Sequence, residues 1–186
     1  MWDTATGKHI RTLTAQGQVN SLAFSPDGKT IASGEGWPGH VVQLWDADTG
    51  KQLQTLTGHT GWVNSVVFGQ NKETVVSASS DNTIRVWDVD TGKHTRTLTG
   101  HTHSVESLAY STKDRTLASG SWDGIRLWDT TTGKQTRIFT DTVKNISVTF
   151  SPNGERLASA SYDNTIRVWN IATGAPTHTF GLHWNG

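Results

Sequence analysis

The chain contains no cysteine, and its 186 residues include only one methionine and two tyrosines. Without cysteine there can be neither a disulfide framework nor a thiolate metal site. No run of 18 apolar residues is present, and the N-terminus lacks the basic and then apolar segments of a secretion signal. These absences favour a cytoplasmic protein.

An excess of charge is also missing, because 16 lysines and arginines balance 16 aspartates and glutamates. A neutral chain produces no long-range field that would attract nucleic acid or an anionic membrane. The sequence therefore predicts no nucleic-acid partner and no membrane partner.

Tryptophan, by contrast, is abundant, and five of the nine tryptophans occupy one position of a repeat. Each is followed by an acid or an amide, at intervals of 43, 42, 41 and 41 residues. A fixed period of this length is typical of an array of repeated structural units. The pairs are Trp2-Asp3, Trp45-Asp46, Trp87-Asp88, Trp128-Asp129 and Trp169-Asn170.

A Thr-Gly pair such as Thr91-Gly92 follows each Trp-Asp pair, and its glycine can supply the positive φ of a tight turn. Between these turns lie short β-type runs such as Val63–Phe68, Thr74–Ser77 and Thr83–Trp87. Turn formers such as 25–28 (Ser-Pro-Asp-Gly) separate the runs. The pattern predicts four strands in each period.

Gly-His pairs precede two of the inner runs, at Gly58-His59 and Gly100-His101. Together with the Trp-Asp pairs, they make the chain resemble the WD-repeat family of β-propellers, and the likeness of the repeats suggests tandem repeats of a bacterial type. The resemblance implies an all-β fold of four-stranded antiparallel blades in a single array over residues 1–186. The expected units are a lone outer strand at 8–14 and blades at 18–57, 62–99, 104–140 and 144–180.

In this family a hydrogen-bonded set ties each blade together: the His of Gly-His, a Ser on the second strand, an Asp in the next turn and the Trp of Trp-Asp. A neutral imidazole can donate to the carboxylate and accept from the hydroxyl, which also accepts from the indole N–H. The implied sets are His59, Ser77, Asp81 and Trp87; His101, Ser119, Asp123 and Trp128; and Ser159, Asp163 and Trp169.

The sets are not equally complete. The turn from Asp123 to Trp128 is one residue shorter than its counterpart in blade two, which predicts a slight distortion. Blade four has Asp141-Thr142 where Gly-His stands elsewhere, and blade one keeps Ser33 and Trp45 of its set. We therefore expect the end blades to be looser.

Ser, His and Asp also form catalytic triads, but here the grouping recurs from blade to blade, and no Gly-x-Ser-x-Gly motif precedes a helix. Residues 88–92 resemble a calcium loop but lack the later acid that such a loop needs. The remaining histidines show no zinc-type spacing. The sequence therefore predicts no catalytic residue, no metal and no cofactor.

Partners of WD-repeat propellers often contact the rim around the channel, beside the turn Asp and at the start of the innermost strand. The resemblance implies nine candidates at these positions. Trp62, Trp122 and Tyr162 are the strongest, because large aromatics dominate binding energy at interfaces. Packing of each ring on the neighbouring blade is the alternative. The candidates are Trp62, Asn64, Ser80, Ser104, Glu106, Trp122, Lys144, Ile146 and Tyr162.

The resemblance implies a closed ring of seven or eight blades, which is usual in this family, and the sequence contains four. An open array exposes an apolar face at each end, so we expect either a longer chain or completion by a second copy. Our hypothesis is a homodimer that closes an eight-bladed ring. In this dimer, the strand Lys8–Thr14 of one chain would pair with the strand Thr165–Trp169 of the other.

The function predicted first is a scaffold that presents the rim to a protein or peptide partner. The alternative is a ligand-sensing or regulatory propeller within a larger multidomain protein. A channel-site enzyme is disfavoured, because Glu106 is the only acid on the four predicted innermost strands.

Overall fold

A computed structural model describes residues 1–139 and 144–181 of the chain. This part forms four antiparallel sheets of four strands each, and within each sheet the strands lie side by side in chain order. The prediction of four-stranded antiparallel blades is therefore confirmed. The strands are β1 (Val19–Phe24), β2 (Thr30–Glu35), β3 (Val42–Asp46) and β4 (Gln52–Leu56) in blade one; β5 (Val63–Phe68), β6 (Thr74–Ser79), β7 (Ile84–Asp88) and β8 (His94–Leu98) in blade two; β9 (Val105–Tyr110), β10 (Thr116–Ser121), β11 (Gly124–Asp129) and β12 (Gln135–Phe139) in blade three; and β13 (Asn145–Phe150), β14 (Arg156–Ser161), β15 (Thr165–Asn170) and β16 (Pro176–Gly181) in blade four.

The hydrophobic core lies between the blades, because a single four-stranded sheet has no interior. Val42, Leu44 and Leu56 of blade one pack with Val66 and Trp87 of blade two in one buried cluster. Equivalent clusters join blade two to blade three and blade three to blade four. Trp87, Trp128 and Trp169 thus each pack against the preceding blade, and Trp45 packs on the N-terminal segment. Every blade depends on its neighbours for the burial of its apolar faces.

Side-chain hydrogen bonds repeat along the same seams. The Ser21 hydroxyl accepts the backbone N–H of Val66 at 3.1 Å, and the Ser65 hydroxyl accepts that of Leu108 at the same distance. Near the outer edge, the Gln54 amide donates to the Val89 carbonyl, 2.9 Å away. The blades are therefore held together from the inner to the outer strands.

The N-terminal region differs from the predicted outer strand at 8–14. Instead of a strand, one isolated bridge joins Trp2 to His9, because only residues 1–3 lie antiparallel to this region in the structure. The segment still occupies the position of a preceding blade. Leu13 packs on the cluster that contains Trp45, and Arg11 donates to the Asp48 carbonyl.

The predicted pairing between chains also needs correction. In the structure, β15 pairs with β14 on one side and with β16 on the other, where Ile166 lies opposite Phe180 and Val168 opposite His178. No edge of β15 is left for another strand. Residues 8–14 of a second chain could pair with the strand Thr165–Trp169 only after β16 had been displaced. The structure thus contradicts this route to a dimer.

Blade one leaves part of its outer face uncovered. Leu22 and Phe24 are 66% and 58% exposed, whereas the corresponding Val66 and Phe68 of blade two are buried. An apolar groove of about 690 Å³ lies here, between β1 and the N-terminal segment.

Among the described residues, no helix has the length and apolar character needed to cross a membrane.

Candidate functional site

The set predicted for blade two is assembled in the structure. The Trp87 indole N–H donates to the Ser77 hydroxyl over 2.8 Å, and the Ser77 oxygen lies 2.8 Å from Nε2 of His59. Nδ1 of His59 lies 2.7 Å from a carboxylate oxygen of Asp81. Because Ser77 accepts from the indole, its own proton is available to Nε2, which leaves Nδ1–H to donate to the carboxylate. Each of these polar groups therefore has a partner.

Hydrogen bonds hold the turn carboxylates in the ionised form. Burial alone would raise the pKa of Asp81, but donors that include His59 and Thr83 outweigh it and hold the pKa well below its ordinary value. The balance at Asp123 is the same, with the Thr102 N–H and His101 as leading donors. Burial also lowers the pKa of His101, although Asp123 partly opposes it. The blade-three set is thus a neutral imidazole beside a carboxylate.

The shorter turn of blade three does not distort its set, so that expectation was wrong. His101 lies 2.5 Å from Asp123 and 2.7 Å from Ser119, and the Trp128 indole donates to Ser119 over 2.8 Å. The turn is completed by Gly124 at φ 119°, a conformation that residues with a Cβ rarely adopt. The positive φ of Gly124 therefore allows this turn to be one residue shorter than its counterpart in blade two.

The end blades use reduced sets. In blade four, the Trp169 indole donates to Ser159 over 3.0 Å, while Asp163 pairs with Arg167 over 2.6 Å. Asp141 and Thr142, which stand where blades two and three have Gly-His, lie outside the described residues.

Blade one contains a member that the sequence pattern did not indicate. The Trp45 indole donates to Ser33 over 2.9 Å, and the Ser33 hydroxyl donates to the buried Glu35 carboxylate, 3.4 Å away. The other Glu35 oxygen accepts the backbone N–H of Gly17 over 3.1 Å. Burial raises the pKa of Glu35, although these hydrogen bonds oppose the shift. The one available signal was an acid at a position where the other blades have serine.

Three rim aromatics combine exposure with contacts to a neighbouring blade. Trp62 is 47% exposed, and its ring lies over Gly36 of blade one. Trp122 is 39% exposed, and its ring meets that of Tyr162 edge-on, with 6.3 Å between centroids. The ammonium of Lys144 lies 4.1 Å from the centroid of the Trp122 ring. Part of each ring thus packs on a neighbouring blade, as the alternative expects. For the exposed part of each ring, contact with a partner stays a prediction.

The polar rim candidates of blades two and three bond to one another. The Asn64 amide donates to Ser80 and Ser104 at 3.0 Å each, and to the Val105 carbonyl at 3.0 Å. Their hydrogen-bonding groups therefore join two blades. Of the other candidates, Glu106 is partly buried on β9 and Lys144 is exposed just before β13. The side chain of Ile146 lies outside the described residues.

A second repeated contact was missed at the outer edge. Arg96 donates to the carbonyls of Thr130 and Thr131, at 2.9 and 2.7 Å, and Arg137 donates to that of Ala172 at 3.0 Å. Together with Gln54, these residues stand four positions after the glycine of a Thr-Gly pair. The recurrence of a long donor at this position was the available signal.

Comparisons with known proteins agree with this geometry. The family model described as "IFT122 first beta-propeller" matches residues 35–185, and the model "WD domain, G-beta repeat" matches residues 7–46. The chain belongs to the WD-repeat β-propeller family. The WD-repeat resemblance seen in the sequence is thereby confirmed.

Individual relatives match part of this propeller chain. The "Anaphase-promoting complex subunit cdc20" of Dictyostelium discoideum is 31% identical over 83 residues, which cover 45% of this chain and 17% of the relative. "Protein FIZZY-RELATED 2" of Arabidopsis thaliana is 31% identical over the same shares. "Anaphase-promoting complex subunit cdh1" of Dictyostelium is 31% identical, with 11% of its length covered. The chain spans less than a fifth of these relatives. All three are eukaryotic, so they do not support the bacterial type suggested above.

Proposed function

We propose that this WD-repeat chain is a protein-interaction scaffold that docks a protein or peptide partner on its rim. The observation that carries the proposal is the exposure of three aromatics on well-supported turns, with Trp62 47%, Trp122 39% and Tyr162 62% exposed. Aromatic side chains bury a large area at little cost in side-chain entropy, and they are enriched among residues that dominate interface energies. The blades hold them in place before binding.

The hydrogen-bonded sets support a structural role over a catalytic one. Ser77 and Ser119 are fully buried, and each hydroxyl accepts an indole N–H. A nucleophile has to reach the substrate, with donors for the developing oxyanion nearby. A serine beneath the rim, committed to a tryptophan and a histidine, does not meet that requirement. The proposal therefore includes no enzymatic activity.

The names of the relatives support an assembly role. Two are named as subunits of the anaphase-promoting complex, and Arabidopsis "Cell division cycle 20.1, cofactor of APC complex" is 32% identical over 83 residues. These names place the relatives in a multi-protein complex. They also lend support to the alternative, a regulatory propeller within a larger multidomain protein, since the relatives are several times longer than the matched segment.

Affinity capture with rim variants tests the scaffold role. The unaltered chain and a Trp122→Ala, Tyr162→Ala double variant would be immobilised, and captured proteins would be quantified by mass spectrometry. Ile138→Ala is the matched control, since Ile138 is 43% exposed on the outermost strand of blade three. We expect the double variant to lose a set of proteins that the control retains. Equal capture by all three chains would contradict the proposal.

We also infer that a second copy covers the open face of blade one. The groove of about 690 Å³ and the exposed Leu22 and Phe24 support this, because apolar patches of this kind mark interfaces. Light scattering should give twice the chain mass of 20.3 kDa, and Phe24→Glu should return the particle to one chain. A folded monomer at micromolar concentration would contradict the dimer and leave further blades of a longer chain as the cover.

A further inference from the structure

The seam between blades three and four carries a cation at the rim. The Lys144 ammonium is 4.1 Å from the centroid of the Trp122 ring, and the Tyr162 ring meets Trp122 at 85°. The backbone N–H of Tyr162 donates to the carbonyl of Lys144 over 3.0 Å, so the two residues are fixed relative to each other. We call Trp122, Lys144 and Tyr162 the rim patch. The aromatic ring fixes the position of the charge without neutralising it.

The acids that directly follow Trp122 and Tyr162 are already matched by other groups, and Asp141 lies outside the described residues. Asp123, next to Trp122, lies within hydrogen-bond distance of His101 and forms an ion pair with Arg126 over 3.1 Å. Asp163, next to Tyr162, pairs with Arg167 over 2.6 Å. Across residues 1–139 and 144–181, no carboxylate pairs with Lys144. Within those residues, the patch therefore presents a positive charge beside two aromatic rings.

We propose that the rim patch binds an acidic segment of a partner protein. A Glu or Asp carboxylate would pair with Lys144, and an adjacent aromatic or aliphatic side chain would pack on Trp122 and Tyr162. The inference rests on the scaffold role proposed above and gives the partner its chemistry. Exposed ion pairs add little affinity alone, so the apolar contact supplies the rest.

The charge of the patch favours a carboxylate over a phosphate. A phosphorylated side chain carries close to two negative charges, and its binding sites are typically clusters of arginine. The rim patch offers one lysine, while the nearby Arg126 and Arg167 are engaged with aspartates. A single ammonium matches the single charge of Glu or Asp. Trp62 shows no such cation over its ring in the described part of the chain.

The proposal is tested by an NMR titration with matched peptides. The indole N–H signals of the nine tryptophans report binding. The probe is acetyl-Gly-Ser-Glu-Phe-Ser-Gly-amide, and its control has Gln in place of Glu. The Trp122 signal is assigned from its loss in Trp122→Phe. We expect this signal to shift on addition of the Glu peptide, with affinity roughly five-fold higher than for the Gln peptide.

Variants of the lysine separate charge from packing. Lys144→Met should make the two peptides bind equally, Lys144→Arg should keep the preference, and Lys51→Met, at an exposed lysine on another edge, should change nothing. Unchanged indole signals from the buried tryptophans would show that the variants fold.

Three results would overturn the inference: equal binding of both peptides to the unaltered chain, absence of binding at millimolar concentration, or tighter binding of a phosphoserine version. Loss of captured proteins in Trp62→Ala together with full retention in Lys144→Met would uphold the scaffold and overturn this site. Equal capture by every rim variant would overturn the scaffold itself.

Discussion

The side-chain amide of Asn64 donates to the backbone carbonyl of Val105 over 3.0 Å and so fastens the innermost strand of blade two to that of blade three. Asn20 makes the same contact with the Val63 carbonyl at 3.1 Å, across the seam between blades one and two. Blade three has Glu106 at this position, and an ionised carboxylate has no N–H to donate. The third seam, between blades three and four, therefore cannot form the amide contact.

The serine contact is missing at the same seam. Ser21 and Ser65 accept an N–H from the following blade, but the buried Ser107 hydroxyl has no hydrogen-bond partner in the described structure. A groove of about 500 Å³ opens between the innermost strands of blades three and four, lined by Tyr110 and Phe150 among others. In the part of the chain that the structure describes, the seam between blades three and four thus lacks two inner-strand contacts that the other two seams have.

Glu106→Asn should therefore stabilise the chain. The new amide could donate across the third seam, which is worth about 0.5 to 1.5 kcal/mol in free energy of unfolding. Chemical denaturation followed by tryptophan fluorescence measures the change. Asn64→Glu is the reciprocal control and should destabilise by a similar or larger amount. A Glu106→Asn variant that is less stable than the parent would show that this carboxylate has a favourable role.

Ser77→Ala should destabilise the chain by about 1 to 2 kcal/mol, since it leaves the Trp87 indole N–H and Nε2 of His59 buried without their partner. Thermal and urea unfolding would measure the loss, and circular dichroism should show an intact fold. Trp87→Phe removes the indole donor and keeps an aromatic ring. In the double variant the two losses should be less than additive, because both changes break the same bond. Strict additivity would mean that the set does not act as a unit.

The repeat could be predicted from sequence because its signals are local. Trp-Asp, Thr-Gly and Gly-His each specify a turn or a strand end within a few residues, so the four-stranded blades follow from their spacing. Contacts between blades depend on residues about 40 positions apart, such as Asn64 with Ser104, 40 residues away, and Gln54 with Val89, 35 residues away. No local pattern distinguishes a rim residue available to a partner from one bonded to the next blade.

Glu35 illustrates a second limit of sequence analysis. The family pattern indicates which residues complete a set, but it does not indicate what replaces them when they are absent. In blade one, the Glu35 carboxylate takes the position next to the serine hydroxyl that an imidazole holds in blade two. Only the fold, which brings Gly17 to within 3.1 Å of the same carboxylate, makes that substitution evident.

The stability difference between Glu35→Gln and the parent should depend on pH. The folded-state pKa of Glu35 is raised, so the native chain holds this proton more tightly than the unfolded chain does. The stabilisation is fully present below the unfolded value, near pH 4.5, and is lost as the pH rises through the folded-state value. Gln does not titrate. Relative to the parent, the variant should therefore become more stable as the pH rises from 4 to 8.

Melting temperatures of both chains across this pH range test the expectation, with Glu73→Gln as a control at an exposed glutamate. The control shows what the same exchange of a carboxylate for an amide does at an exposed position. A pH dependence of Glu35→Gln no larger than that of the control would contradict the expectation.

Two glycines of the Thr-Gly turns allow two costs in stability to be measured separately: the loss of a contact between blades and the strain of a left-handed backbone. Gly7 and Gly92 have nearly the same φ, 67° and 68°, but a Cβ at Gly7 would meet no atom within 4 Å, whereas one at Gly92 would collide with the Gln54 side chain. Gln54 would then lose its bonds to the carbonyls of Val89 and Asp90. Gly7→Ala should cost about 1 kcal/mol for the left-handed backbone, and Gly92→Ala about 1 to 2 kcal/mol more. In a Gln54→Ala background, where the collision is gone, Gly92→Ala should cost no more than Gly7→Ala does. If the extra cost persisted in that background, the Gln54 contact would not be its source.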